Sequence, residues 1–200
     1  RAELEGFDDY LIGLLMSCYF AGFLAGSLLT PKMIQRVGHI RIFAALSAVA
    51  SVTILVHSIY VNPWAWALMR LLTGFAFSTI YVVSESWLNQ ASNNTNRGQI
   101  LSLYTAILLA GICAGQFMLN VANPREFTLF ILISVMVSVA AVPILLSVIT
   151  TPAIEETERV TIRHLWYRTP MGVTGIVLSQ WVSSILFGMG AVYATKLGFT

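Results

Sequence analysis

Residues 69–90 read MRLLTGFAFSTIYVVSESWLNQ, an apolar run long enough to cross a bilayer, for which a helix needs about 20 residues. The run nevertheless keeps Arg70 near one end and Glu85 near the other. At 100° per residue, positions 70, 74, 78, 81 and 85 fall within about 80° of one another. Arg70, Gly74, Ser78, Tyr81 and Glu85 therefore share one helix face. A charge facing lipid at mid-bilayer costs at least ~2.5–3.5 kcal/mol, so this face is expected to look into protein or a water-filled cavity. The two charges stand roughly 22 Å apart along the helix at 1.5 Å per residue and cannot pair with each other. Each needs its own partner.

Composition sets the solvent. The chain is 57% apolar and 10% charged, with a mean hydropathy of +0.79. Soluble domains carry about 25% charged residues, so this chain lacks the polar surface that water demands. A net charge of +2 and the absence of basic clusters interleaved with aromatics exclude a nucleic-acid partner. The partner that composition does imply is the lipid bilayer. Cys18 and Cys113 each sit inside an apolar run without metal-ligand spacing, and read as packing residues.

Hydrophobic segments cover approximately 10–30, 41–61, 64–89, 100–121, 127–149 and 171–195. Inside a bilayer each backbone must satisfy its own hydrogen bonds, which helices do and open strands do not. The expected fold is an all-α membrane bundle with six transmembrane helices, and the Val and Ile richness around residues 131–149 does not argue for strand. Lys and Arg are retained on the cytoplasmic side. Lys32, Arg36, Arg41, Arg97, Arg159, Arg163 and Arg168 fall in one set of loops, against Arg1, Arg125 and Lys196 in the other. The first set is therefore expected inside, with both observed ends outside. The opening RAELEGFDD reads as an acidic outer segment and not as a signal peptide. Because the chain begins with Arg and stops at KLGFT soon after a span, it reads as a fragment.

The polar interval TTPAIEETERVTIRHLWYRTP, 150–170, separates five spans from the sixth and reads as a solvated connector, with EETER as a short surface helix. The expected domains are a helical bundle over 1–149, a cytoplasmic linker over 150–170, and the first helix of a second bundle over 171–200.

For Glu85 the turn NQASNNTNRGQ brings back Arg97, and an ion pair across it is expected, with Gly98 allowing close approach. Arg70 has no acidic residue in any neighbouring apolar segment. Its partner is then water, a backbone carbonyl, a solute, a residue beyond this chain, or the outer interface. Gly22-x-x-x-Gly26 and Gly111-x-x-x-Gly115 read as close-packing seams. His57, near the outer end of its span, is expected at the interface more than in proton coupling. Polar residues within spans supply cavity candidates: Ser179, Gln180, Ser183, Ser184 and Tyr193 in the last segment, and Tyr104, Gln116 and Asn120 in the fourth. Tyr81, Gln116, Gln180, Ser183 and Tyr193 are the cavity candidates, with Gln180 and Gln116 the better ones because an unpaired amide in hydrocarbon is costlier than a hydroxyl that bonds its own helix.

At these residues the chain resembles the major facilitator superfamily (MFS) of secondary transporters. That family marks its fourth helix with R-x-x-x-G, here Arg70 to Gly74, and many members place an acid near its inner end followed by RG, here Glu85 and Arg97-Gly98. The present spans then resemble helices two to seven, with helix one missing. In the inner loop the family carries G-x-x-x-D-R-x-G-R, and PKMIQRVGHIR keeps Arg36 and Gly38 while Pro31 and Gln35 replace the first glycine and the aspartate. The family's latch between bundles is not assumed here. GICAGQF has Gln116 where antiporter branches carry proline, which weakens an antiporter assignment. The stretches SCYFAGFLAGSLLTPKMIQRVGHIR and VVSESWLNQASNNTNRGQILSLY look most like a poorly characterised group of bacterial transporters in that superfamily.

The resemblance implies twelve helices in two bundles and a secondary active transporter in a bacterial inner (plasma) membrane. It would move a small solute of unknown class by alternating access, coupled to an ion gradient, protons among the options, or to the solute's own gradient. Arg70, Gly74, Glu85, Arg97, Arg36 and Gly38 would serve coupling or gating. The alternative is a six-span receptor or assembly protein. No H-E-x-x-H, paired intramembrane aspartates or Gly-x-Ser-x-Gly turn suggests an enzyme, and no catalytic residue, metal or cofactor is expected.

Overall fold

The structure, a computed structural model, describes residues 2, 5–118, 126–146 and 162–198. It divides the chain into two compact units, Arg1–Ala153 and Ile154–Thr200. The first holds helices α1 (Asp9–Val37), α2 (His39–Ile59), α3 (Pro63–Ala91), α4 (Arg97–Met118) and α5 (Thr128–Leu146). Each of these five is long and apolar enough to cross a membrane. The second unit holds α6 (Ile162–Arg168) and α7 (Pro170–Lys196), whose apolar stretch covers Pro170–Leu186. No strand occurs among the described residues. The expected surface helix over EETER, and most of the connector, lie outside the described residues.

Local chemistry sets the helix ends. The Asp8 carboxylate accepts from Leu11 N at 2.9 Å and caps α1. Asn62 accepts from Trp64 N and Ala65 N at 3.0 and 3.2 Å, and Pro63 follows at the first helical position. There the missing N–H costs nothing and the fixed φ suits a helix start. Asn93 and Asn96 close the turn between α3 and α4, with Arg97 N donating to Asn93 O at 2.9 Å.

The inner stretch PKMIQRVGHIR corrects the loop expected there: α1 runs on through Pro31 to Val37, and α2 restarts at His39. The break is confined to Gly38, whose φ of 88° is a backbone conformation that only glycine adopts without strain. Gly38 N still closes the last turn of α1 on Ile34 O at 2.9 Å.

In the first unit α1 crosses α3, and α2 packs between α3 and α5. The α1–α3 crossing brings backbone onto backbone. A methyl group on Gly22 would collide with the Leu71 carbonyl, and one on Gly74 with the Tyr19 carbonyl; on Gly26 it would lie 2.7 Å from Phe75 O. The core gathers Ile34, Ile42, Phe43, Leu46, Ala50, Ala76, Val83 and Ala141 from these four helices. Lipid tails are as apolar as leucine, so helix association in a bilayer depends on close packing and interhelical hydrogen bonds. Both are present. Thr30 Oγ1 donates to Thr79 Oγ1 at 3.0 Å across α1 and α3. Ser51 Oγ lies 2.6 Å from Ser134 Oγ, and Ser138 donates to Ser51 at 3.0 Å, tying α2 to α5. The outside of the unit carries exposed Leu24, Leu28, Val52, Leu68, Leu103 and Val139, a surface suited to lipid and not to water.

Candidate functional site

The polar face of α3 is continuous in sequence but divided in space. Gly74 is buried where α1 crosses, so the face opens into one cavity on the Arg70 side and another on the Glu85 side. "Outer" and "inner" below follow the charge bias of the loops.

The outer cavity, about 370 Å³, is lined by Tyr19 of α1, Ile54 and His57 of α2, Arg70, Thr73 and Phe77 of α3, and Phe130 and Ile133 of α5. A smaller one of about 70 Å³ shares His57 and Arg70 and adds Trp66. His57 is only 7% exposed, near the C-terminal end of α2. Its Nδ1 lies 2.8 Å from the Thr53 carbonyl, which can only accept, so Nδ1 carries the hydrogen. Nε2 is buried and has no hydrogen-bond partner. The ring rests 5.6 Å from Trp66, whose Nε1 donates to Tyr60 O at 2.8 Å and whose ring meets Phe7 at 5.1 Å. Thr73 Oγ1 stands 3.0 Å from Thr53 Oγ1, fixing the register of α2 against α3.

Arg70 is partly buried at this cavity and does not extend to solvent as an exposed chain would. No carboxylate pairs with it among the described residues.

The inner cavity, about 410 Å³, is lined by Phe23 and Ser27 of α1, Ser78, Tyr81, Val82 and Glu85 of α3, and Leu108 and Ile112 of α4. Ser78 is fully buried with an unpartnered Oγ, and the Tyr104 hydroxyl is likewise unpartnered. The expected Glu85–Arg97 ion pair is not formed among the described residues; both side chains are exposed. Asn93 and Asn96 close the turn ahead of Arg97, and Glu85 lines the inner cavity. Beside it, His39, fully buried at the start of α2, places Nε2 3.1 Å from Ser86 Oγ. No sequence signal singled out this bond.

The remaining expected residues are spread more widely. Arg36 is exposed in the last turn of α1 beside Gly38, and Gln116 is exposed on α4. Gly22 and Gly26 lie in the α1–α3 contact. A methyl on Gly111 or Gly115 meets nothing within 4 Å among the described residues, and α4 has no buried residue among them. Gln180, Ser183 and Tyr193 lie on α7 in the second unit; Ser183 Oγ donates to Ser179 O at 2.9 Å, while Gln180 and Tyr193 are exposed. Asn120 lies outside the described residues. No group of three or more His, Cys, Asp or Glu that could hold a metal occurs among those described.

Two cavities thus open along one face of a membrane-length helix, on either side of a glycine crossing. The family model of the Major Facilitator Superfamily matches residues 5–200. The chain belongs to that superfamily. It is 28% identical over 200 residues to an uncharacterized MFS-type transporter of Enterobacter sp. (strain 638), covering 97% of this chain and 51% of the relative. It is 26% identical over 198 residues to one of Escherichia fergusonii, covering 98% and 52%. A third, from Yersinia enterocolitica, is 26% identical over 194 residues, covering 94% and 50%. The chain thus spans about half the length of the curated relatives it matches. No solved structure matches it. Superfamily membership and the apolar helices make this a multi-pass membrane protein.

Proposed function

We infer that this superfamily chain forms part of a secondary transporter, in a bacterial inner membrane, that moves a small solute by alternating access. The observation that carries the reading is Arg70: a guanidinium kept inside an apolar bundle, at a cavity, with no described carboxylate to neutralise it. An intramembrane charge held at that cost marks a functional position by default. Gly74 and Gly22 sit one turn away, at a crossing where backbones touch, so a change in how Arg70 is satisfied is transmitted to the angle between α1 and α3. Arg70 then acts in coupling or conformational change, and Glu85, with Tyr81 at the inner cavity, occupies the matching position on the other side. Arg36, Gly38 and Arg97 would act at the inner ends of the same helices, and Gln116, Gln180, Ser183 and Tyr193 remain cavity candidates. The names of the relatives support a transporter without specifying a solute.

The test is flux. The complete natural protein in proteoliposomes is offered a defined mixture of sugars, amino acids, organic acids and hydrophobic cations, with accumulation read by mass spectrometry and proton movement by an internal pH dye. Accumulation of at least one solute above empty vesicles, lost in Arg70→Ala at equal protein content, is expected. Vesicles that accumulate none, in either orientation of an imposed pH gradient, would refute the assignment.

A further inference from the structure

The connector ahead of α7 ends in a short helix with two unlike faces. At 100° per residue, Arg163, Tyr167, His164 and Arg168 of α6 span about 140° of its circumference, and Leu165 and Trp166 lie opposite. The Arg163 guanidinium stands over the Tyr167 ring, 5.9 Å from its centroid, which holds it on the polar face. All six side chains are exposed among the described residues. A seven-residue helix without a covering partner frays in water, where isolated helices shorter than about 12–15 residues are marginal. Its location supplies another medium. Thr169 N closes α6 on Leu165 O at 2.8 Å, and Val173 N opens α7 on Thr169 O at 3.1 Å. One residue therefore separates α6 from the apolar stretch Pro170–Leu186, so α6 sits at the level where that stretch meets water.

We propose that α6 lies on the inner surface of the bilayer, with Leu165 and Trp166 in the interfacial layer and Arg163 and Arg168 each holding the headgroup of an anionic phospholipid. The arginines stand at the two edges of the polar face, about 60° from Trp166 and Leu165 respectively. With the apolar face down, both guanidinium groups reach the height of the lipid phosphates, one on each flank of the helix. The planar fork of arginine matches a phosphate. A zwitterionic headgroup also offers a phosphate, but its ammonium cancels the charge, so an anionic lipid is preferred. Tryptophan favours this layer because its ring is apolar and its N–H is not. Basic residues beside an apolar helix are drawn to a negatively charged leaflet in the same way. This surface needs only a membrane protein around it and does not depend on transport.

The probe is phosphatidylglycerol. The complete natural protein is placed in nanodiscs of phosphatidylcholine that hold a minor share of either phosphatidylglycerol or phosphatidylcholine brominated near the headgroup end of the acyl chain. The difference in quenching between the wild type and Trp166→Phe isolates the emission of Trp166. Phosphatidylglycerol is expected to be enriched about fivefold beside Trp166, the effect of one arginine at a charged surface. Arg163→Gln, on the edge next to Trp166, removes more of that enrichment than Arg168→Gln, and the double variant brings it to parity. Lysine at both positions keeps most of it. In the wild type, raising salt from about 0.01 to about 1 M shortens the screening length from about 30 to about 3 Å and lowers the enrichment, so a variant that fails to fold does not decide the outcome. Equal quenching by the two lipids, a preference that survives the double variant, or one indifferent to salt would each overturn the lipid surface. Trp166 emission untouched by either brominated lipid would also overturn it, and would leave this face for an acidic protein segment.

Discussion

Substituting Gly74 by alanine tests the α1–α3 crossing most directly. The added methyl falls on the backbone carbonyl of Tyr19, an atom that cannot turn aside, so the helices have to separate. Contacts of a real Cβ below 3.0 Å essentially never occur, and clearing this one requires more than about 1 Å of movement. That movement stretches the 3.0 Å Thr30–Thr79 bond past any useful length. Overpacking costs about 1–3 kcal/mol, the lost hydrogen bond adds about 1 kcal/mol, and alanine's better helix propensity returns about 1 kcal/mol. The net loss is about 1–3 kcal/mol. Gly26→Ala needs only a few tenths of an ångström relief from its 2.7 Å contact with Phe75 O and loses less. Gly13, on the same helix, meets nothing within 4 Å, so Gly13→Ala is expected to be neutral or stabilising. The assay is SDS-induced unfolding of the purified protein in mixed micelles, followed by tryptophan fluorescence. The expected order of midpoints is Gly13→Ala at or above wild type, then Gly26→Ala, then Gly74→Ala and Gly22→Ala. Midpoints for Gly74→Ala and Gly13→Ala that coincide would refute a backbone-to-backbone crossing.

Arg70→Ala is expected to abolish most solute flux while leaving membrane abundance within about twofold of wild type; a parallel fall in both would reassign Arg70 to assembly. Ser51→Ala and Ser134→Ala, measured singly and together, should show a coupling of about 0.5–1.5 kcal/mol, the size of one interhelical hydrogen bond, and additive effects would deny the α2–α5 tie. Gly38→Ala forces a methyl-bearing residue to φ near 88° and should cost about 1–2 kcal/mol in the same unfolding assay. Unchanged stability there would mean that α1 and α2 are not joined by that turn.

The physical picture is of a bundle held by small residues and hydroxyls. Among the described residues the apolar core is modest, and the exterior is apolar by necessity. Each buried hydroxyl that bonds across helices also fixes register: Thr30 to Thr79, Thr73 to Thr53, Ser51 to Ser134. Along α2, His57 has one nitrogen committed to Thr53 O and the other buried without a hydrogen-bond partner.

Much of the fold was legible in the chain because a bilayer leaves few choices. Segment length, the helical period of 70, 74, 78, 81 and 85, and the caps at Asp8 and Asn62 all act locally, and the helices follow them closely. The superfamily resemblance rested on the same local residues. What a one-dimensional reading could not decide was which groups meet. It joined Glu85 to Arg97 because they are close in sequence, whereas both side chains are exposed without pairing and Glu85 lines the inner cavity. It treated two Gly-x-x-x-Gly patterns alike, although Gly22 and Gly26 have a backbone against them and Gly111 and Gly115 do not. It placed His57 by its position in the span alone, and could not show that the ring is buried against Trp66 at a cavity that α5 also lines. Solvent preference is a property of a segment, so the sequence by itself determined the helices and their medium. Pairing is a property of two segments at a crossing, and only the tertiary structure decided that Arg70 and an unpartnered histidine share one cavity.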